Sequence, residues 1–359
     1  MVIALSADEQ GELPLPWLAA PLREALASHH GHALLVHGAP GVGALPFALT
    51  LAQAWLCEVA APEQGGTRPC GHCGSCRLVR SQLHPDLMVL LPETLRRIHR
   101  WPLADDKPEG DEAKRKPSRQ IRIDEVRALI DWSTMTSARG RGKVAVLHPA
   151  ESLNLQSASA LLKTLEEPPA GTRLVLTCAD PALLLPTVRS RCQRLRLRDP
   201  EPEVAMAWMA AQGVASRRDA QTLLAACGGQ PLDALALAQE GVGAEAWAAL
   251  PAAVARGQSA ALAGWPVPRT IDALMKLCHD ALACASGGAA RYFPADRVPA
   301  GGSPAALAAW LDELQRVARH DDHPWNEGLL VDALVQAGAA ALAPAPEIAG
   351  ARRLDTLRP

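Results

Sequence analysis

The sequence predicts an α/β protein in which a parallel sheet carries helices on both faces and is followed by helical domains. Three observations lead there. Short apolar runs at Ala33-Leu34-Leu35-Val36-His37, Val89-Leu90-Leu91, Lys143-Val144-Ala145-Val146-Leu147 and Leu174-Val175-Leu176-Thr177 alternate with stretches of helical spacing. That alternation is the mark of parallel strands joined by crossover helices. A glycine-rich segment follows the first run directly, and beyond Arg198 the chain turns Ala/Leu-rich with no strand-like run.

Taken in order, Phe47-Ala48-Leu49 through Trp55-Leu56 has helical spacing and completes a strand, loop, helix unit. The second strand follows the turn signal His84-Pro85-Asp86. Residues Arg96 to Arg119 are dense in charges of both signs and carry prolines at 102, 108 and 117, so they read as a solvated insertion without fixed structure. Ile123, Val126, Leu129 and Ile130 mark one helix face, and a helix from Leu153 to Leu165 ends at Pro168-Pro169. Gln193 to Arg198 alternates, with Leu195 and Leu197 on one face and Arg194, Arg196 and Arg198 on the other, which reads as a solvated strand face. Asp199-Pro200-Glu201-Pro202 reads as a linker, and Gly228-Gly229-Gln230-Pro231 separates two short helices. The expected domains are residues 1–198, a small helical domain over 199–241, and a second helical domain over 242–359 whose last dozen residues are loose.

Composition narrows the class. The 359 residues carry 36 Lys+Arg against 38 Asp+Glu, a net charge of −2, so the whole chain gives no reason to expect a polyanion partner. Hydrophobic residues at 48% exclude a mainly disordered chain. Aromatics are only 3%, and Trp supplies 9 of them, so Ala, Leu and Val must fill the core, which favours helices. The first apolar run stops at Asp8 and Glu9, and no secretion signal is expected. The uncharged stretch from Ala25 to Cys57 is divided by histidines and by Gly38-Ala39-Pro40-Gly41, so no membrane span is expected. With an odd number of cysteines, 9, a disulfide framework is not expected, and the cytoplasm is the default compartment.

Gly38-Ala39-Pro40-Gly41-Val42-Gly43-Ala44-Leu45 sits between strand and helix, where a phosphate-binding loop belongs. In the working motif, backbone N–H groups cradle phosphates, a Lys reaches the β- and γ-phosphates, and a Ser/Thr hydroxyl holds Mg²⁺. Here Gly38, Gly41 and Gly43 remain, but Ala44 stands at the Lys position and Leu45 at the hydroxyl position. The strand that should end in metal-binding acids continues as His148-Pro149-Ala150-Glu151 instead. Both departures point to an architecture kept for shape with catalysis lost, leaving open weak phosphate binding by the bare loop.

Cys70, Cys73 and Cys76 fall within seven residues, with Cys57 thirteen residues before the first of them. Four thiolates satisfy tetrahedral zinc and leave no open position, so the expected site is structural. An iron–sulfur cluster would want a further cysteine at position 80, which is Arg80. His72 and His84 are alternatives to Cys57 as the fourth ligand. Cys178, Cys227, Cys278 and Cys284 lie in apolar segments and read as small core residues.

Leu161-Leu162-Lys163-Thr164-Leu165-Glu166-Glu167-Pro168-Pro169, Ser190-Arg191-Cys192, the cysteine set and His84-Pro85-Asp86 together resemble bacterial clamp-loader subunits of the AAA+ class. The resemblance spans residues 30 to 200 well. Beyond 200 it rests on domain order, Asn326 and the apolar stretch Leu329 to Val335. The damaged loop resembles the delta-prime branch of the DNA polymerase III loaders, whereas the related gamma/tau subunits keep the loop Lys and the acidic strand end. Departures from the family are Ser159 where Asn is usual, the charged insertion, and Ala44 and Leu45.

The resemblance implies an AAA+ domain with a zinc module at about 57–76, a helical lid over 199–241 and a helical collar beyond. It implies a non-hydrolysing member of a five-subunit ring that places a sliding clamp on primed DNA as part of a nucleotidyltransferase holoenzyme. The partners are then a gamma/tau-like ATPase subunit, a delta subunit and the clamp, with DNA reached through the complex. Arg191 would act in trans, as an arginine finger, on ATP bound by the neighbouring subunit. One zinc and no tightly bound ATP are expected. Two other classes compete: an active gamma/tau-like ATPase, and a zinc-dependent nucleic-acid module using Arg194, Arg196, Arg198 and the run Arg139-Gly140-Arg141-Gly142-Lys143.

Overall fold

The computed structural model describes residues 4–29, 31–59, 68–102, 117–214, 216–319 and 326–344. The chain divides into two compact units, one of Met1–Trp208 with Gln230–Asp233 and one of Met209–Gly229 with Ala234–Pro359.

The first unit runs α1 (Ala19–Ser28), β1 (Ala33–His37), α2 (Ala44–Leu56), α3 (Gly74–Arg80), β2 (Leu87–Leu90), α4 (Glu93–His99), α5 (Ile123–Thr134), β3 (Lys143–Leu147), α6 (Leu155–Glu166), β4 (Thr172–Cys178), α7 (Pro186–Arg189) and β5 (Gln193–Arg196). The strands form one parallel sheet in the order β2-β3-β4-β1-β5. Register places Leu35 beside Leu176 and Arg194, and Ala145 beside Leu174. Leu34, Leu35 and Val36 are buried on both faces, as a central parallel strand requires.

Every residue of α2 from Leu45 to Leu56 is buried, including Phe47 and Trp55. A helix apolar all round lies inside the fold rather than on it. Helix α5 is the contrasting case, with Val126 and Leu129 in the core beside Leu161 and Leu165 of α6, and its charged residues outward. Asn154 caps α6, its Oδ1 accepting from Ser157 N at 2.9 Å.

The charged insertion differs from expectation at its start. Arg96–His99 belongs to helix α4, where Arg96 donates to Glu125 at 3.1 Å, and Glu93 accepts from Ser118 N at 3.0 Å. These contacts tie both ends of the insertion to the domain; its middle, 103–116, lies outside the described residues. Proline spacing did not show that pairing.

Downstream lie α8 (Pro202–Ala211), α9 (Arg217–Ala226), α10 (Pro231–Gln239), α11 (Ala244–Ala255), α12 (Val267–Ala285), α13 (Pro304–Ala318) and α14 (Glu327–Leu342). In the second unit Trp247 stacks on Phe293 at 4.8 Å, and Trp310 donates to Leu334 O at 3.1 Å. The buried Asp280 carboxylate accepts from Arg291 N, Tyr292 N and Phe293 N at 2.9, 2.8 and 2.8 Å, fixing the turn after α12. Among the described residues no helix is long and apolar enough to cross a membrane.

Candidate functional site

The glycine-rich loop leaves the carboxyl end of β1, the edge where parallel sheets bind ligands. Gly41 and Gly43 take φ of +80° and +101°, a region open to glycine. The loop is occupied by the protein itself. Trp17 Nε1 donates to Val42 O at 2.8 Å, and a Cβ at Gly43 would lie 2.3 Å from Leu15 Cδ1. From the start of α10, Leu232 N donates to Gly41 O at 3.4 Å, and a Cβ at Gly41 would lie 2.7 Å from a carboxylate oxygen of Asp233. At the cation position Ala44 supplies no charge, and Leu45 points into the core at 3% exposure.

At the ends of β3 and β4, His148 Nδ1 and Thr177 Oγ1 lie 2.6 Å apart. Thr177 Oγ1 donates to Leu147 O, which makes it the acceptor for an Nδ1–H of neutral His148. Burial, and secondarily the nearby His99, pushes His148 down to about 4. Glu151, the first acid after β3, accepts from Ala179 N and Asp180 N at 2.5 and 3.2 Å and so closes a turn.

The cysteines converge. The Sγ atoms of Cys57, Cys70, Cys73 and Cys76 all lie within 4.8 Å of one another, with Cys70 to Cys76 at 3.9 Å and Cys73 to Cys57 at 4.0 Å. Tetrahedral Zn–S bonds of roughly 2.3 Å place sulfurs about 3.8 Å apart, so the donor set fits one zinc, and it is far too open for the roughly 2.05 Å of a disulfide. Cys73 N and Cys76 N donate to Cys70 Sγ and Cys73 Sγ, both at 3.4 Å, which favours thiolates. The neighbouring Cys76 thiol pushes Cys57 down, and Cys57 together with burial pushes Cys76 up, so the cluster gathers negative charge on Cys57 first. Gly71 makes the turn possible: its φ is +78° and a Cβ there would meet Asp8 O at 2.3 Å.

His84 does not take the place of Cys57 as the fourth donor. Its Nδ1 accepts from Asp86 N and its Nε2 donates to Ser75 Oγ, each at 3.1 Å, and burial lowers its pKa. Ser75 also accepts from Arg139 Nε at 2.9 Å and donates to Glu58 at 2.9 Å, so the residues flanking Cys57 and Cys76 are braced against the loop after α5. The Arg139 to Lys143 run is consequently engaged inside the chain. Arg139 pairs with Glu58, Arg141 donates to Glu58 O, and Lys143 is buried and donates to Trp132 O. Arg194, Arg196 and Arg198 do face solvent, with Leu195 and Leu197 buried beneath.

Arg191 lies just beyond α7. Its Nε donates to Glu166 Oε1 at 2.7 Å, Nη2 donates to the same oxygen, and Nη1 donates to Thr187 O at 2.8 Å. The side chain is 32% exposed, so the guanidinium is at the surface yet held.

The family described as DNA polymerase III, delta subunit, matches residues 19–201. This chain belongs to that family. Among curated relatives, the DNA polymerase III subunit delta-prime of Pseudomonas aeruginosa is 34% identical over 60% of this chain and 58% of the relative. The delta-prime subunit of Yersinia pestis is 36% identical over 54% of this chain and 51% of the relative. The DNA polymerase III subunit tau of Escherichia coli is 32% identical over 46% of this chain and 22% of the relative. The chain thus matches little more than half the length of its delta-prime relatives. The loop, the cysteine centre and Arg191 all lie inside the span matched by the polymerase III delta-subunit family, on the parallel sheet expected from the sequence.

Two contacts at these sites are not legible in the sequence. Asp233 is nearly two hundred residues from the loop it covers, and no spacing rule connects them. Glu166 stands in the motif Leu161 to Pro169, but its pairing with Arg191 needs α6 and α7 to be packed first.

Proposed function

We propose that this chain is a non-hydrolysing, delta-prime-type subunit of the DNA polymerase III clamp loader, acting in a pentameric ring that opens a sliding clamp and places it on primed DNA. The observation that carries this reading is the pairing of a disabled phosphate loop with a surface arginine. Ala44, Leu45 and His148 remove the cation, the hydroxyl and the acid that phosphoryl transfer needs, and Asp233 sets a negative charge against Gly41. Arg191, by contrast, is held at the surface just after β4 and α7, available to a neighbour.

In this reading a gamma/tau-like subunit binds ATP at the boundary, and Arg191 stabilises the charge that develops on its transferring γ-phosphoryl group. A planar guanidinium suits that task because its donors meet phosphate oxygens in pairs. Residues 199–241 serve as the lid and 242–359 as the collar that joins the ring to its delta and gamma/tau-like partners in the cytoplasm. Cys57, Cys70, Cys73 and Cys76 hold one zinc, which closes the module structurally and offers no open position for chemistry. The test is reconstitution with a gamma/tau-like ATPase, a delta subunit and the clamp. The chain alone should show no ATP turnover, and omitting it should abolish clamp loading onto primed DNA.

A further inference from the structure

We propose that Glu166 is the positioning residue for Arg191, a role that rests on the reading of Arg191 given above. Glu166 closes α6 immediately before Glu167-Pro168-Pro169, where two prolines stop the helix. Arg191 emerges from the turn that ends α7, a single helical turn begun by Pro186. Both backbones are therefore fixed at the point where the side chains meet. One carboxylate oxygen, Glu166 Oε1, takes Nε and Nη2 of the guanidinium together, and Thr187 O takes Nη1. A guanidinium has about five N–H donors, so these contacts fix the plane of the fork and leave donors for an incoming anion.

Stability does not account for the arrangement. Arg191 and Glu166 side chains are 32% and 48% exposed, and an ion pair in that setting adds little to a fold. Its effect falls on orientation: a free arginine samples many rotamers, whereas this one is biased toward one direction before any neighbour arrives. Glu167, next in the chain and also exposed, makes no hydrogen bond with the guanidinium and serves as the internal control.

The experiment uses the complete reconstituted loader with ATP, the clamp and primed DNA, comparing Glu166→Gln, Glu167→Gln, Arg191→Ala and the double variant Glu166→Gln/Arg191→Ala. Glu166→Gln should lower kcat by up to about fivefold, the scale of one exposed ion pair, while KM for ATP and assembly of the ring stay unchanged. Glu167→Gln should match the wild type, and the double variant should be no slower than Arg191→Ala. Wild-type kcat in Glu166→Gln alongside a slowed Arg191→Ala overturns this proposal alone. So does a raised kcat or a double variant slower than Arg191→Ala, since either shows Glu166 acting independently of the arginine. Unchanged turnover in Arg191→Ala overturns the reading of the arginine itself. If Glu166→Gln does not assemble, Glu166→Asp keeps the charge and withdraws it by one methylene, and a wild-type kcat in that variant counts against the proposal while a lowered one supports it.

Discussion

Asp233 lies so close over Gly41 that a Cβ at the glycine would sit 2.7 Å from its carboxylate oxygen. An anion thus rests against the backbone turn that phosphate-binding loops reserve for anions of the ligand. On the proposed reading, loss of nucleotide binding has two separable causes, missing side chains and an occupied loop.

The isolated chain is expected to show no tight Mg-ATP binding by titration calorimetry. Restoring the motif with Ala44→Lys and Leu45→Thr should not recover it, because Asp233 and Leu15 still fill the loop. Adding Asp233→Ala to that pair should increase affinity. Micromolar binding by the unaltered chain contradicts this account.

His148 gives the fold an acid limit. Its pKa falls from 6.5 to about 4 on folding, through burial first and His99 second. Between those values the unfolded chain holds the proton and the folded chain does not, so stability is full above pH 6.5 and falls as pH drops toward 4. The loss attributable to this residue is about 3 kcal/mol. Urea unfolding at pH 7 and pH 4.5 measures it, and His148→Gln should show a smaller difference between the two.

Elemental analysis of protein prepared without chelator should find about one zinc per chain. Cys76→Ser should abolish it and lower the melting temperature, since thiolate ligation is coupled to the folding of 70–76 and of the Asp8 turn packed on Gly71. Iron with a visible absorption band, or an unchanged melting temperature in Cys76→Ser, would speak against the assignment.

Asp280→Ala should destabilise the second unit by about 2–3 kcal/mol, because Arg291 N, Tyr292 N and the buried Phe293 N lose their shared acceptor together. Denaturant unfolding followed by Trp fluorescence reports it, Trp247 being stacked on Phe293.

Much of the sheet could be read from sequence because its strands are buried on both faces and therefore apolar without interruption, as at Leu34 to Val36 and Val144 to Leu147. The cysteine centre was legible for a different reason: Cys70, Cys73 and Cys76 lie close enough in sequence for a turn at Gly71 to gather them. Cys57 is not close, and only the packing of α2 against α3 brings it to the others and leaves His84 to Ser75. Helix α4 was missed because Glu93 to His99 has no buried residue and hence no apolar stripe to betray it. The contacts of Asp233 and Glu166 are not legible because they join distant segments, which local periodicity does not encode.

On the proposed reading, this chain contributes to ATP hydrolysis without performing it. ATP turnover by the reconstituted loader, compared between Arg191 and Arg191→Ala, tests that most directly. An arginine acting in trans is worth on the order of a thousandfold at its own site; because only one of several ATP sites borders this subunit, the account predicts a partial fall in total turnover and in clamp loading with assembly intact. Arg191→Lys should recover little, since a point charge lacks the paired donors. Unchanged turnover and unchanged clamp loading in a correctly assembled Arg191→Ala loader would contradict the account and reduce Ser190-Arg191-Cys192 to a structural turn.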